Sequence, residues 1–181
     1  MTLDLNSGID FIDQDIRYMN QLFEMNPPLF THWQSWFEAN LQAILDVHTI
    51  PAGKVVQAGT WTGAFYRELQ SIFGAPRCVG FDIVDYGIND DSVIYADFRD
   101  VQANNTHPIE TAVFYNGLGS WQYNTASKQA GLDWAVNNLV SGGIYLDVYH
   151  NKPEREQALK EVAGLTWYGT YDRKLIVLIK D

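Results

Sequence analysis

Val55-Val56-Gln57-Ala58-Gly59-Thr60-Trp61-Thr62-Gly63 is the stretch on which the fold turns. With Lys54 before it, Lys54–Ala58 is short and apolar enough to be a strand. Two glycines four apart then form a turn, and Ala64–Phe73 carries Phe65, Leu69 and Ile72 on one helical face. Gly74 stops that helix. Glycines in such a turn let backbone approach a ligand with no Cβ in the way. The following helix points N–H groups at the same place, which suits a carboxylate or phosphate. A Gly-rich strand-to-helix turn also forms without any ligand, and both readings stand at this point. The spacing is not GxGxxG, so a dinucleotide fold matches less well, and GxxxxGK[ST] is absent, which excludes a P-loop.

Working outward, strand and helix patterns alternate. Arg77–Asp82 and Ser92–Ala96 read as strands, and Asp97–Asn104 as a turn or short helix. Thr111–Tyr115 is a strand ending at Asn116. Thr125–Val140 is helical, although Gly131 costs it about 1 kcal/mol. Gly143–Val148 is a strand, and Asn151 with Glu154 opens a helix through Ala163. Leu165–Tyr171 and Lys174–Ile179 form a hairpin. Upstream, Ile9, Ile12, Ile16, Met19 and Phe23 share one helical face, and a second face runs from Phe30 through Trp33, Phe37 and Leu41 to His48. Pro27 and Pro28 separate the two helices. The alternation predicts an α/β, doubly wound, mostly parallel sheet with helices on both faces, preceded by two N-terminal helices. One domain is expected over 1–181, with a helical extension at 1–50 and the core at 54–181.

Composition excludes other classes. The 181 residues are 46% hydrophobic and 19% charged, as in an ordinary globular protein. Twelve basic against 22 acidic residues give a net charge of −10, which argues against nucleic acid or an anionic membrane as the main partner. The excess is uneven: residues 1–150 hold 6 basic and 17 acidic residues (−11), and residues 151–181 hold 6 and 5 (+1). The single cysteine, Cys78, rules out an internal disulfide and a Cys-rich zinc site. No targeting segment and no membrane-spanning run are seen, and a cytoplasmic protein is the expectation.

In open parallel sheets ligands bind beyond the carboxyl ends of the strands. Asp82 stands there, 23 residues after Gly59, and suits two ribose hydroxyls or a turn cap. Asp97 suits an amino group or the cap of a short helix. Asn116 opens a loop that adds Ser120, Trp121, Gln122 and Tyr123. His150 follows the fifth strand on this side and is the candidate base. His48 and His107 precede strands and fall at the opposite edge. His32, Trp33 and Trp36 either wall a substrate or pack as an ordinary helix. Asp147 lies within reach of the cleft and is left without a role.

Gly59-Thr60-Trp61-Thr62-Gly63, Asp82, Asp97 and the terminal hairpin resemble the class I S-adenosylmethionine-dependent methyltransferases over about Lys54 to Asp181. The glycine turn is similar to that of small-molecule O-methyltransferases of the catechol and caffeoyl-CoA groups. The resemblance implies a Rossmann-like seven-stranded sheet in the order 3-2-1-4-5-7-6, its last strand antiparallel. It implies S-adenosylmethionine as cofactor, with Gly59, Thr60, Trp61 and Gly63 cradling the methionine moiety. It implies that Asp82 holds the ribose, that Ile83 packs on adenine, and that Asp97 and Phe98 flank it. Asn116 falls where a substrate-facing residue is placed. Gln57 stands where an acidic residue commonly orders the methionine amino group. Asn116 replaces the acidic residue of metal-dependent relatives, so no catalytic metal is expected. The function expected is methyl transfer to a small or aromatic acceptor. The alternatives are a non-catalytic binding module of the same fold and another use of the nucleoside pocket. The N-terminal helices are left to cover a substrate or to pair two subunits.

Overall fold

The computed structural model describes the backbone of residues 27–61, 63–119, 125–148, 153–172 and 175–181, and their side chains other than those of 27–34, 119 and 125. The first expected helix lies outside these residues. The second is α1, Pro27–Leu45. Then follow β1 (Lys54–Ala58), α2 (Ala64–Phe73), β2 (Cys78–Asp82), β3 (Val93–Tyr95), α3 (Phe98–Asn104) and β4 (Thr111–Asn116). The chain continues with α4 (Thr125–Asn138), β5 (Leu139–Val148), α5 (Pro153–Lys160), β6 (Leu165–Tyr171) and β7 (Leu175–Lys180).

The strands form one seven-stranded sheet in the order β3-β2-β1-β4-β5-β7-β6. β7 runs antiparallel to both β5 and β6, and the other pairings are parallel. This is the order and hairpin that the resemblance implied. Successive residues of each strand serve opposite faces. Val55, Val113, Tyr115 and Leu146 meet Phe37, Leu41, Tyr66 and Leu69 of α1 and α2. Val56, Phe114, Tyr145 and Ile176 meet Phe98, Trp134, Ala135 and Leu159 of α3, α4 and α5. Each large buried side chain contributes about 1.5–3 kcal/mol by leaving water.

Several boundaries differ from expectation. α4 ends at Asn138, two residues early, where the Asn138 amide donates to the Trp134 carbonyl and accepts from the Ile109 N–H. β5 therefore starts at Leu139, with Gly142 in the left-handed region (φ 76°) and a register shift against β4. α5 ends at Lys160, and Gly164 (φ 80°) turns the chain into β6. Register sets the site: Ala58 pairs with Asn116, which pairs with Asp147. The carboxyl ends of β1, β4 and β5 are thus level, with Asp82 beside them on β2.

Candidate functional site

The turn after β1 is built by backbone geometry that few residues accept. Gly59 (φ 74°) and Gly63 (φ 81°) are left-handed, and so is Trp61 (φ 52°), which carries a side chain. A Cβ on Gly59 would come within 3.1 Å of Leu118 and 3.3 Å of the Gly117 carbonyl carbon. Asp82 holds this turn. Its Oδ2 accepts from the Trp61 N–H at 2.8 Å and its Oδ1 from the Val84 N–H at 3.1 Å. The carboxylate is 5% exposed, and each oxygen has more than one lone pair.

Asp82 lines a small cleft with Gly59, Phe81, Ile83, Ala96, Asp97, Phe98, Leu118 and Ser127. The structure thus brings together Gly59, Asp82, Ile83, Asp97 and Phe98 of the residues read from the sequence. Two more sit at the turn with unmet hydrogen-bonding capacity. Gln57 is 2% exposed; its Nε2 donates to the Gly59 carbonyl at 3.0 Å and its Oε1 has no partner among the described residues. Thr60 is as buried, and its Oγ1 has no partner among the described residues either.

Asp97 takes the cap role, one of the two readings left open for it. It caps α3, accepting from the Arg99 N–H at 3.0 Å, and it lines the cleft. The Arg99 guanidinium is paired with its carboxylate, and that pairing holds the Asp97 carboxyl below the usual carboxylate range.

Asn116 is placed differently from expectation. Its side chain is fully buried and is not part of the cleft wall. The reason is α4, which crosses directly over it at Gly131. Asn116 Nδ2 donates to the Lys128 carbonyl at 3.3 Å and to the Tyr145 hydroxyl at 2.8 Å. The hydroxyl donates to Asp147 Oδ2 at 2.6 Å, and Arg155 of α5 donates to the same oxygen at 2.7 Å. Burial, with Asp147 next in effect, raises the Tyr145 phenol well above its ordinary value, so it acts here as a neutral donor. Burial also opposes the Arg155 charge, but Asp147 and Tyr145 outweigh it and hold the guanidinium above its ordinary value.

Sequence reasoning missed this chain of contacts. Tyr145 and Asp147 are two apart and share a strand face, but only the fold brings Arg155 and Asn116 to them. His150, Trp121 and the rest of their loops lie outside the described residues, as do the side chains of His32 and Trp33. The Trp36 indole donates to Asp172 Oδ2 at 2.7 Å, in the β6–β7 turn. α1 runs nine residues further to Pro27, roughly 13 Å beyond that point. His48 is at the opposite edge, contacting the Gly142 carbonyl at 3.2 Å, and the His107 ring packs on Phe81.

A glycine turn after the first strand, a buried Asp after the second, a cleft between them and the strand order 3-2-1-4-5-7-6 together define the fold of the class I S-adenosylmethionine-dependent methyltransferases. Solved structures match it. CalS11, a TDP-rhamnose 3'-O-methyltransferase of calicheamicin biosynthesis, is 16% identical with a TM-score of 0.55, over 98% of this chain and 99% of that one. TrmN from Thermus thermophilus is 17% identical with a TM-score of 0.57, over 82% of this chain. The MycE methyltransferase of the mycinamycin pathway, solved with Mg and SAH, is 14% identical with a TM-score of 0.52, over 83% of this chain. The chain spans about half the length of TrmN and MycE, 49% and 48%. No protein-family model and no curated protein matches the sequence.

Proposed function

We propose that this protein binds S-adenosylmethionine in the cleft and transfers its methyl group to a small or aromatic acceptor. The observation that carries the reading is the Asp82 carboxylate. It is buried, level with the glycine turn, and open on one side to the cleft. The chain's own groups fit such a cofactor. The Asp82 carboxylate, which lines the cleft, is of the chemistry that accepts ribose hydroxyls. Ile83 and Phe98 supply apolar walls for a base. Gln57 Oε1 and Thr60 Oγ1, buried at the turn and without a partner among the described residues, suit an ammonium group. When bound, the cofactor supplies a methyl group already activated on a sulfonium. The protein's part is then alignment of acceptor and methyl for in-line displacement. The acidic bias of Asp82–Asp100 favours a cation on this side. His150 remains the proposed base, and the N-terminal helices the proposed acceptor-side wall.

A second reading is a binding module of the same fold without turnover. Two observations favour it: neutral Gln57 at the turn, and the Arg99 pairing that takes up the Asp97 carboxylate.

Calorimetric titration with S-adenosylmethionine, S-adenosylhomocysteine and NAD, after removal of co-purified ligand, tests the proposal. The first two are expected to saturate and NAD is not. Asp82→Ala removes hydrogen bonds to a charged acceptor, each worth roughly 1.5–3 kcal/mol, so affinity should fall at least 10-fold. A melt of the variant guards against loss of the turn itself. A folded Asp82→Ala protein binding like the wild type overturns the assignment. Saturable binding with no turnover across an acceptor panel favours the second reading.

A further inference from the structure

The cleft rim is not free-standing. Gly117 follows Asn116 directly, and a Cβ there would lie 2.5 Å from the carbonyl oxygens of both Ala58 and Gly59. The short turn at 117–119 is thus pressed against the glycine turn, and Leu118 and Ser127 on either side of the 120–124 segment line the cleft. Behind the rim, α4 rests on Asn116. The Lys128 carbonyl accepts from its amide, and a Cβ on Gly131 would lie 2.4 Å from its Oδ1. The Asn116 amide in turn donates to the Tyr145 hydroxyl, whose own proton is committed to Asp147. Asp147 is clamped by Arg155. One line of contacts therefore runs from α5 through β5 and β4 to the rim, and every residue between its ends is buried. A buried polar chain of this kind fixes geometry, because each member that shifts leaves another unsatisfied in a medium without water.

We propose that Tyr145 is a positioning residue for the cleft: through the Asn116 amide it sets where the 117–119 turn and the first turns of α4 stand against the Gly59 turn. The proposal rests on the reading of the cleft as a nucleoside cofactor site. Tyr145 touches no ligand; its hydroxyl holds Asn116, and Asn116 holds both the turn that follows it and the helix above it.

The test is calorimetric titration of the full chain with S-adenosylhomocysteine, in the wild type, in Tyr145→Phe and in Leu165→Ala. Tyr145→Phe removes one hydroxyl and leaves the ring, the Asp147–Arg155 pair and the Asn116–Lys128 bond in place. Leu165→Ala opens the core at β6, away from the cleft, and serves as the control for lost stability. Tyr145→Phe is expected to raise the Kd at least fivefold at a Tm no lower than the control's, and Leu165→Ala to leave the Kd within twofold. A folded Tyr145→Phe protein with a Kd within twofold of the wild type overturns the proposal.

Absence of binding in the wild type is a failure of the cofactor reading instead. The positioning claim is then decided by amide hydrogen exchange over residues 126–132. Exchange there should be at least fivefold faster in Tyr145→Phe than in Leu165→Ala, and equal rates overturn the claim. Asn116→Ser, read in the same way, replaces Tyr145→Phe if that variant does not fold.

Discussion

Gly131→Ala is a substitution that helix propensity recommends and this structure forbids. Alanine in a helix interior is favoured over glycine by about 1 kcal/mol. At this position, however, the new Cβ would stand 2.4 Å from Asn116 Oδ1 and 2.7 Å from both Cγ and Nδ2, where ordinary contact begins near 3.4 Å. About 1 Å of movement is required. Asn116 has nowhere to go, since it is 0% exposed and backed by the equally buried Tyr145. Forcing α4 outward costs roughly 1–3 kcal/mol as overpacking. Displacing Asn116 breaks buried hydrogen bonds and costs a further 1–3 kcal/mol or so. Set against the propensity gain, the net loss is about 3 kcal/mol. For a chain of this size that lowers Tm by roughly 6–12 °C. A thermal melt and a urea titration with unchanged slope measure it. Combination with Asn116→Ser should be less destabilising than the two changes summed, because both act at one contact. A Gly131→Ala protein with an unchanged or raised Tm would refute the seating of α4 on Asn116, and with it the coupling to the rim.

Two further outcomes are expected. Cys78 is 2% exposed and burial pushes its thiol up to about 11, so Ellman's reagent at pH 8 should label the native protein only as fast as the core opens. One equivalent should react promptly in urea, and prompt reaction without urea contradicts the packing. The Asp97–Arg99 pair predicts a pH window. Because the folded Asp97 carboxyl is held below its unfolded value of about 3.9, the pair's stabilisation is full above about pH 5 and lost as pH falls through the folded pKa. The urea stability gap between wild type and Arg99→Leu should therefore be constant from pH 7 to 5 and close below pH 4. A gap that persists unchanged to pH 3 would mean that the carboxylate is not the partner.

Much of this arrangement was legible in the chain because it depends on local rules. Gly59 and Gly63 announce a turn that needs left-handed backbone, and the helix Ala64–Phe73 falls where the spacing of Phe65, Leu69 and Ile72 puts it. Strand order followed from the resemblance, and Asp82 from its place after a strand. What was hidden depends on through-space contact. Gly131 looked like a cost to α4 until the helix was seen crossing Asn116. The resemblance put Asn116 toward a substrate, yet β4 ends beneath a helix and its amide is drawn inward by Tyr145. Arg155 gave no signal, since an Arg in the first turn of a helix reads as solvated until its partner on β5 is known.

The position of buried polarity argues for the site independently of any relative. Burying polar side chains is costly unless they are paired, so a sheet interior built for stability alone would be apolar throughout. Here Gln57, Thr60, Asp82, Thr111, Asn116, Ser127 and Asp147 are the buried polar residues among those described. Thr111 begins β4, and its hydroxyl is satisfied locally by the Ile109 carbonyl. The other six stand at or just beyond the carboxyl ends of β1, β2, β4 and β5, while the buried residues of the same strands below that level are, Thr111 apart, apolar or aromatic. Chance burial would scatter them along the strands. Their unmet atoms follow the same pattern: Gln57 Oε1, Thr60 Oγ1, Asn116 Oδ1 and Asp147 Oδ1 all lie at this edge. Trp134 Nε1 and Arg155 Nε, on the helices above, are the other two such atoms among the described residues, so most of the cost lies along one line, and that line borders the cleft holding Asp82. A fold that needed only to persist would have no reason to concentrate its costs there; a fold that must hold a polar ligand against a rigid backbone does.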